Sequence, residues 1–184
     1  MSAEPATDTS GVKGRQRFSA RGRTWMIVLR PPWGQPVDRA FVRWTGFSPM
    51  TLQYALAGGM PLRRAWRGAR QVLLLTTIGH RTGRLRTTVL PYFRYQDALV
   101  VCGSNGGGPR DPHWADNVRA EHRAWVRVGG RLVPASAEVA AGDERSRVFA
   151  AVAAQHDGLE RYQRQASRFG RDVPLVVLRL TNPA

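Results

Sequence analysis

Lysine is almost absent from this chain: Lys13 is the only one, and the other 27 of its 28 basic residues are arginine. Acidic residues are also scarce, at 13, which leaves a formal net charge of +15. Arginine stays ionised, forks onto carboxylates and phosphates, and stacks on rings. The surplus therefore points to an anionic partner: a phosphorylated cofactor, a nucleic acid or a membrane surface. A lone Cys102 excludes an internal disulfide framework and any cysteine-rich zinc site. It fits a reducing, cytoplasmic setting. Met1 to Gly22 is small, polar and increasingly basic, and lacks the apolar centre of a signal peptide. The longest uncharged run, Trp44 to Leu62, is broken by Gly46, Pro49, Gln53, Gly58, Gly59 and Pro61. It makes a poor spanning helix but is fit to lie on a membrane. The histidines (His80, His113, His122, His156) have no zinc-ligand spacing, and there is no Gly-x-Ser-x-Gly elbow, so a zinc enzyme or hydrolase is not expected. The chain also has no helix-turn-helix, ribonucleoprotein or zinc-finger pattern, and no nucleic acid partner is expected.

What is present suits one domain: 184 residues, 42% of them hydrophobic. The charge is uneven, with a net +9 in residues 1–70 against +6 in residues 71–184. Residues 1–36 read as a basic, flexible tail ending in a stiff loop marked by Pro31, Pro32, Gly34 and Pro36. Residues 37–69 form a helical segment, apolar and basic by turns. One helix is expected over Asp38 to Trp44. Ser48 and Pro49 then cap a second, whose apolar body runs from Met50 to Ala57. From residue 70 the pattern changes to strands: Val72–Thr77, Arg86–Tyr95, Ala98–Gly103, Ala124–Val128, Leu132–Val139 and Pro174–Leu180. Gly129-Gly130 marks a hairpin. Helices are expected from an Asp111-Pro112 cap to Glu121, from Asp143 to His156, and from Leu159 to Ser167. The expected fold is α+β, a small antiparallel barrel with helical cover.

Four constellations carry candidate chemistry. In Thr76 to Arg86 a strand ends in threonines, turns at Gly79 and Gly83, and crowds Arg81, Arg84 and Arg86 with His80 at its tip. Such a tip is either an anion nest with guanidinium forks or a solvated hairpin end. The glycine-rich run Cys102 to Pro112 joins a strand to a helix. It is neither a Walker loop nor a dinucleotide fingerprint, and reads as a polar-ligand cradle or as a crossover loop. In His113 to Asn117, Trp114 is placed either to stack on a planar ring or to fill the core. Tyr162, in Leu159 to Gln163, either contacts a substrate or packs inward.

Taken in order, these segments resemble the deazaflavin-dependent nitroreductase family, quinone reductases that use reduced coenzyme F420. Leu73-Leu74-Leu75-Thr76-Thr77-Ile78-Gly79-His80-Arg81-Thr82-Gly83 is similar to its strand–turn signature, and Arg86 stands where the family has an arginine. Ser104-Asn105-Gly106-Gly107, Asp111-Pro112-His113-Trp114-Ala115-Asp116-Asn117, Tyr162-Gln163 and Val173-Pro174-Leu175-Val176-Val177-Leu178 match later motifs. The likeness covers residues 70–180 and makes residues 70–184 a split β-barrel, deazaflavin-binding domain of the flavin-reductase kind. It implies F420 contacts at His80, Arg81 and Thr82; at Arg86, Thr87, Thr88, Val89, Leu90 and Pro91; at Cys102, Gly103, Ser104 and Asn105; and at His113, Trp114, Ala115, Asp116 and Asn117. Arg81 and Arg86 would hold the anionic tail, and Trp114 would border the ring. Ser104, Leu159 and Tyr162 would face the substrate. The implied reaction is hydride transfer to a quinone, a nitroaromatic or another electrophilic acceptor, with no obligatory general base and no metal. The family pattern is broken in places: His80 replaces an arginine, Asn105 a lysine and Leu159 a substrate-side tyrosine. FMN is the alternative cofactor, and a non-catalytic deazaflavin- or lipid-binding protein is the alternative role. The scaffold also implies a homodimer. The apolar, basic segment adds an expected peripheral position at the inner face of the plasma membrane.

Overall fold

The structure, a computed structural model, describes residues 34–57, 62–156 and 158–181. The expected basic tail lies mostly outside them. Among the described residues three helices come first: α1 (Gly34–Thr45), α2 (Pro49–Ala57) and α3 (Leu62–Arg70). Then follow β1 (Val72–Ile78), β2 (Leu85–Tyr95), β3 (Ala98–Cys102), a 3-10 turn (Asn105–Gly107) and α4 (His113–Ala120). The chain ends with β4 (Arg123–Val128), β5 (Arg131–Val139), α5 (Gly142–Ala153), α6 (Leu159–Ser167) and β6 (Leu175–Leu180). One expectation needs correction. Gly34 and Pro36 belong to the first turn of α1 rather than to a stiff loop, since a first-turn proline loses no helical bond. Residues 37–69 were expected to be helical with only two helices given bounds; a third, α3, covers Leu62–Arg70.

The six strands close an antiparallel barrel in the order β1-β2-β3-β6-β5-β4. Alternation dictates which side chains go inside. Leu73 and Leu75 of β1, Leu90 of β2, Leu99 and Val101 of β3, Val126 of β4, and Val176 and Leu178 of β6 fill the barrel. Trp114, Ala115 and Val118 of α4 join the same cluster, so α4 plugs one end. The outward residues are buried too, which is why β1 and β6 read as unbroken apolar runs. Val100, Leu175 and Val177 pack under α5 and α6 with Val148, Val152, Leu159 and Ala166. Val42 of α1 covers Val72 and Leu74, with Val89 against them. Burying each such side chain contributes about 1.5–3 kcal/mol.

Register decides what the barrel offers at its plugged end. Ile78 pairs with Leu85, so the 79–84 turn leaves from there. β2 is long, and β1 pairs with it from Leu85 to Pro91. β3 pairs with it only from Tyr92 to Tyr95. The other edge of β2 from residue 85 to 91 thus has no strand partner among the described residues, and the barrel is split there. Cys102, the last residue of β3, pairs with Leu175. From that level the 103–112 loop leads to α4, which Asn117 ties to the 79–84 turn at the start of β2.

Candidate functional site

The arginine turn is a tightly bonded knot. Gly79 N–H donates to the Arg84 carbonyl at 2.9 Å, and the Gly79 carbonyl accepts Thr82 N–H at 3.0 Å and Gly83 N–H at 2.7 Å. This leaves His80, Arg81, Thr82, Arg84 and Arg86 exposed at the tip. Arg81, Arg84 and Arg86 pair with no carboxylate among the described residues. Arg81 Nε–H donates to His80 Nε2 at 3.2 Å. His80 Nδ1 lies 2.9 Å from Asn117 Oδ1, so these two bonds together require the tautomer with its hydrogen on Nδ1. Asn117 also accepts the His80 backbone N–H at 3.1 Å and donates from Nδ2 to Thr77 Oγ1 at 3.0 Å. One buried amide thus ties α4 to the end of β1 and to the turn.

The glycine-rich loop is held from outside. Arg171 donates to the carbonyls of Gly108 (3.0 Å), Gly103 (3.3 Å) and Ser104 (2.8 Å). It also donates to Asp111 Oδ1 at 2.7 Å, and the side chains of this pair are only 10% and 16% exposed. Asp111 also pairs with Arg119. Asp111 was expected to cap α4; the two arginines claim its carboxylate instead, and Pro112 occupies the cap position without a side-chain bond. Sequence reasoning missed Arg171 altogether. Nothing in its neighbourhood marks it, because its partners lie 60 or more residues away in sequence. Asn105 Nδ2 donates to the Arg110 carbonyl at 3.0 Å, so the side chain that replaces the family's lysine braces the loop. Gly107 sits at φ +77°, and a Cβ there would fall 2.6 Å from Gln165 of α6. Only glycine lets the loop lie this close to the helix. Ser104 is right-handed helical and Asn105 has φ +44°. A right-to-left pair of this kind turns successive N–H groups to one side as an anion nest. The N–H groups of Ser104, Asn105 and Gly106 have no protein acceptor among the described residues.

The sequence-predicted residues divide into two groups. His80, Arg81, Thr82, Arg86, Ser104, Asn105, His113 and Asp116 stand on the turn, the loop and the first turns of α4, around the split. The free edge of β2 carries Thr87, Thr88, Val89, Leu90 and Pro91; of these, Leu90 points into the barrel and Val89 under α1. Other candidates are structural. Trp114, expected to border the ring, is 8% exposed in the barrel core beside Ala115, because α4 turns that face inward as a plug. Leu159, expected to face the substrate, is 0% exposed between α6 and the sheet. Tyr162 packs partly buried against that same cluster, its ring 6.0 Å from that of His156. Gly103 is buried against Pro174, and burial pushes the Cys102 thiol up to about 12, so it stays protonated at neutral pH. No thiolate is on offer.

Residues 50–180 match the family described as F420H(2)-dependent quinone reductase. The chain belongs to this family. F420H(2)-dependent quinone reductases from two strains of Mycobacterium tuberculosis, H37Rv and CDC 1551, are each 31% identical to it over 144 residues, covering 77% of this chain and 97% of theirs. A solved structure of an F420-H2 dependent reductase is 25% identical, with a TM-score of 0.53 over 59% of this chain and 94% of its own. Another, described as a domain-swapped dimer, has the same identity and TM-score and covers 59% of this chain and 80% of its own. As a family member the protein is an oxidoreductase that depends on coenzyme F420. FMN gains no support from these matches.

Proposed function

We propose that the protein reduces a quinone with reduced coenzyme F420 bound in the split beside β2. The observation that carries this reading is the convergence of three elements on one opening: the arginine turn, the free edge of β2, and the loop with its unpaired N–H groups. The donor set fits the cofactor. Arg81, Arg84 and Arg86 suit a phosphodiester and carboxylate tail. The loop N–H groups of Ser104 to Gly106 and the backbone of β2 offer neutral contacts to a flat, polar-edged ring. When bound, the reduced deazaflavin supplies hydride chemistry. The chain's own part is to hold that ring, close one side of it with a loop fixed by Arg171, and present the half-buried Ser104 hydroxyl to the oxygen on which charge develops. A quinone is favoured over a nitroaromatic because Leu159, which stands at the family's substrate-side tyrosine, is sealed in the core and brings no polar group. Anaerobic mixing of the protein with reduced F420 and menadione is expected to oxidise the cofactor with saturable kinetics, while FMN gives no saturable binding. Tight F420 binding without turnover with any quinone would defeat the reading.

A second observation supports a membrane-facing role. Phe41, Trp44, Leu62 and Trp66 of α1 and α3 are exposed, beside Arg43, Arg63, Arg67 and Arg70. No helix among the described residues is long and apolar enough to cross a membrane. A layer of this kind suits a surface position at an anionic bilayer, where lipid-soluble quinones reside. The protein is expected to float with phosphatidylglycerol vesicles and to remain in solution with phosphatidylcholine vesicles; equal recovery with both would exclude this.

A further inference from the structure

A second pocket opens on the outer wall of the barrel, beneath α1. It has a volume of about 470 Å³, in the range of small-molecule sites. Of the residues expected to touch F420, only Thr87 lines it. Three guanidinium groups surround it: Arg39 and Arg43 from α1 and Arg127 from β4. None of them pairs with a carboxylate among the described residues. Arg39 donates to the Thr87 carbonyl at 3.2 Å and Arg127 to the Gly130 carbonyl at 3.1 Å, while Arg43 has no hydrogen-bond partner there. The acid nearest in sequence, Asp38, is turned away into bonds with Ser48 and Met50. The Thr76 and Thr87 hydroxyls meet at 2.8 Å within the pocket wall, and the bond between them leaves one hydroxyl hydrogen to donate. The rest of the lining is apolar. Leu74 lies at the floor, and Trp44 and Leu132, 84% and 55% exposed, stand at the rim.

Uncompensated guanidiniums repel one another, and collecting three around one cavity costs stability unless an anion joins them. Exposed Trp and Leu beside them would likewise be covered by an apolar body. We propose that this pocket is a second anion site, separate from the cofactor cleft, which takes an amphiphilic anion: an alkyl or aryl phosphate or carboxylate. The anionic head lies among Arg39, Arg43 and Arg127, and the apolar part rests on Trp44 and Leu132.

The test titrates the full chain with decyl phosphate, kept below its micelle concentration, and with inorganic phosphate, by calorimetry. Saturable one-to-one binding of decyl phosphate is expected, with inorganic phosphate weaker by about tenfold or more. The double variant Arg43→Gln/Arg127→Gln should lose about tenfold in decyl phosphate affinity. Its F420 affinity, followed by fluorescence, should stay within about twofold of the parent. Arg43 is exposed and Arg127 half-buried, and a melting temperature no lower than the parent's will show that the variant folds; Trp44→Ala, which leaves the charge intact, should weaken decyl phosphate alone. Absence of saturable binding, or binding unaltered in the double variant, overturns the site. Equal affinity for inorganic phosphate overturns the amphiphile, and a parallel loss of F420 affinity overturns the separation from the cofactor cleft. Phosphatidylglycerol vesicles added as competitor assign the source. Displacement of decyl phosphate identifies a lipid head group, and its retention identifies a soluble amphiphile; either result supports the site.

Discussion

Arg171 makes the glycine-rich loop a defined surface. Its guanidinium satisfies three backbone carbonyls and one carboxylate in a largely buried position, so removing it strands acceptors that water reaches poorly. Arg171→Ala is expected to cost about 3 kcal/mol in urea denaturation, and to weaken F420 binding further because the N–H groups of Ser104, Asn105 and Gly106 lose their fixed direction. Arg171→Lys keeps the charge without the fork and should recover only part of either loss. A variant as stable as the parent would show that the loop holds itself. This residue, and the part Asn117 plays in tying α4 to the turn, could not be read from sequence, since both depend on partners 37 or more residues distant. Arg81 and Arg86 could be read, because a turn is a local event and its glycines and arginines lie within one short run. Trp114 and Leu159 mark the opposite failure: a position in a motif names a residue's neighbours in sequence and leaves open which face of the helix turns inward.

Elements with strong local signals were the legible ones. All six strands follow from apolar periodicity and turn residues, to within a residue or two at their ends. α3 fell within the expected helical segment but without bounds of its own, because Arg63, Arg64, Arg67 and Arg70 dominate a nine-residue stretch, and charge masks the narrow apolar stripe that binds a short helix to its support. The α1–α2 corner was half legible. Ser48 does cap α2, its Oγ accepting Thr51 N–H at 3.0 Å. The deeper device is Asp38, which accepts the Ser48 hydroxyl and the Met50 N–H, both at 3.0 Å, from one turn into α1. Ser48→Ala should destabilise this corner by about 1 kcal/mol and Asp38→Ala by about 2 kcal/mol, as it leaves two donors unpaired. The double variant should lose less than the sum, since both belong to one network. Hydrogen exchange at α2 amides reads these losses directly, and additive effects would dissolve the network.

At the scale of the whole molecule the strand order was not legible. β6, last in sequence, sits between β3 and β5, while β4 closes against β1; hairpins announce themselves locally, but closure depends on pairings far apart in the chain. That closure, with β3 too short to cover β2, makes the split, and it also divides the positive charge into three fields: the arginine turn, the pocket under α1, and the exposed helices. Only the first should answer to the cofactor's tail. Raising ionic strength from about 0.05 M to about 0.5 M shortens the screening length severalfold, so F420 affinity should fall by about tenfold. A deazaflavin lacking the phosphate and carboxylate tail should bind with little salt dependence. Arg81→Gln/Arg84→Gln should flatten the F420 salt profile towards that of the tailless compound while leaving the tailless affinity within about twofold. If the salt profile of F420 survives this double variant, the tail lies on a different arginine field, and the cofactor's orientation in the split must be reversed.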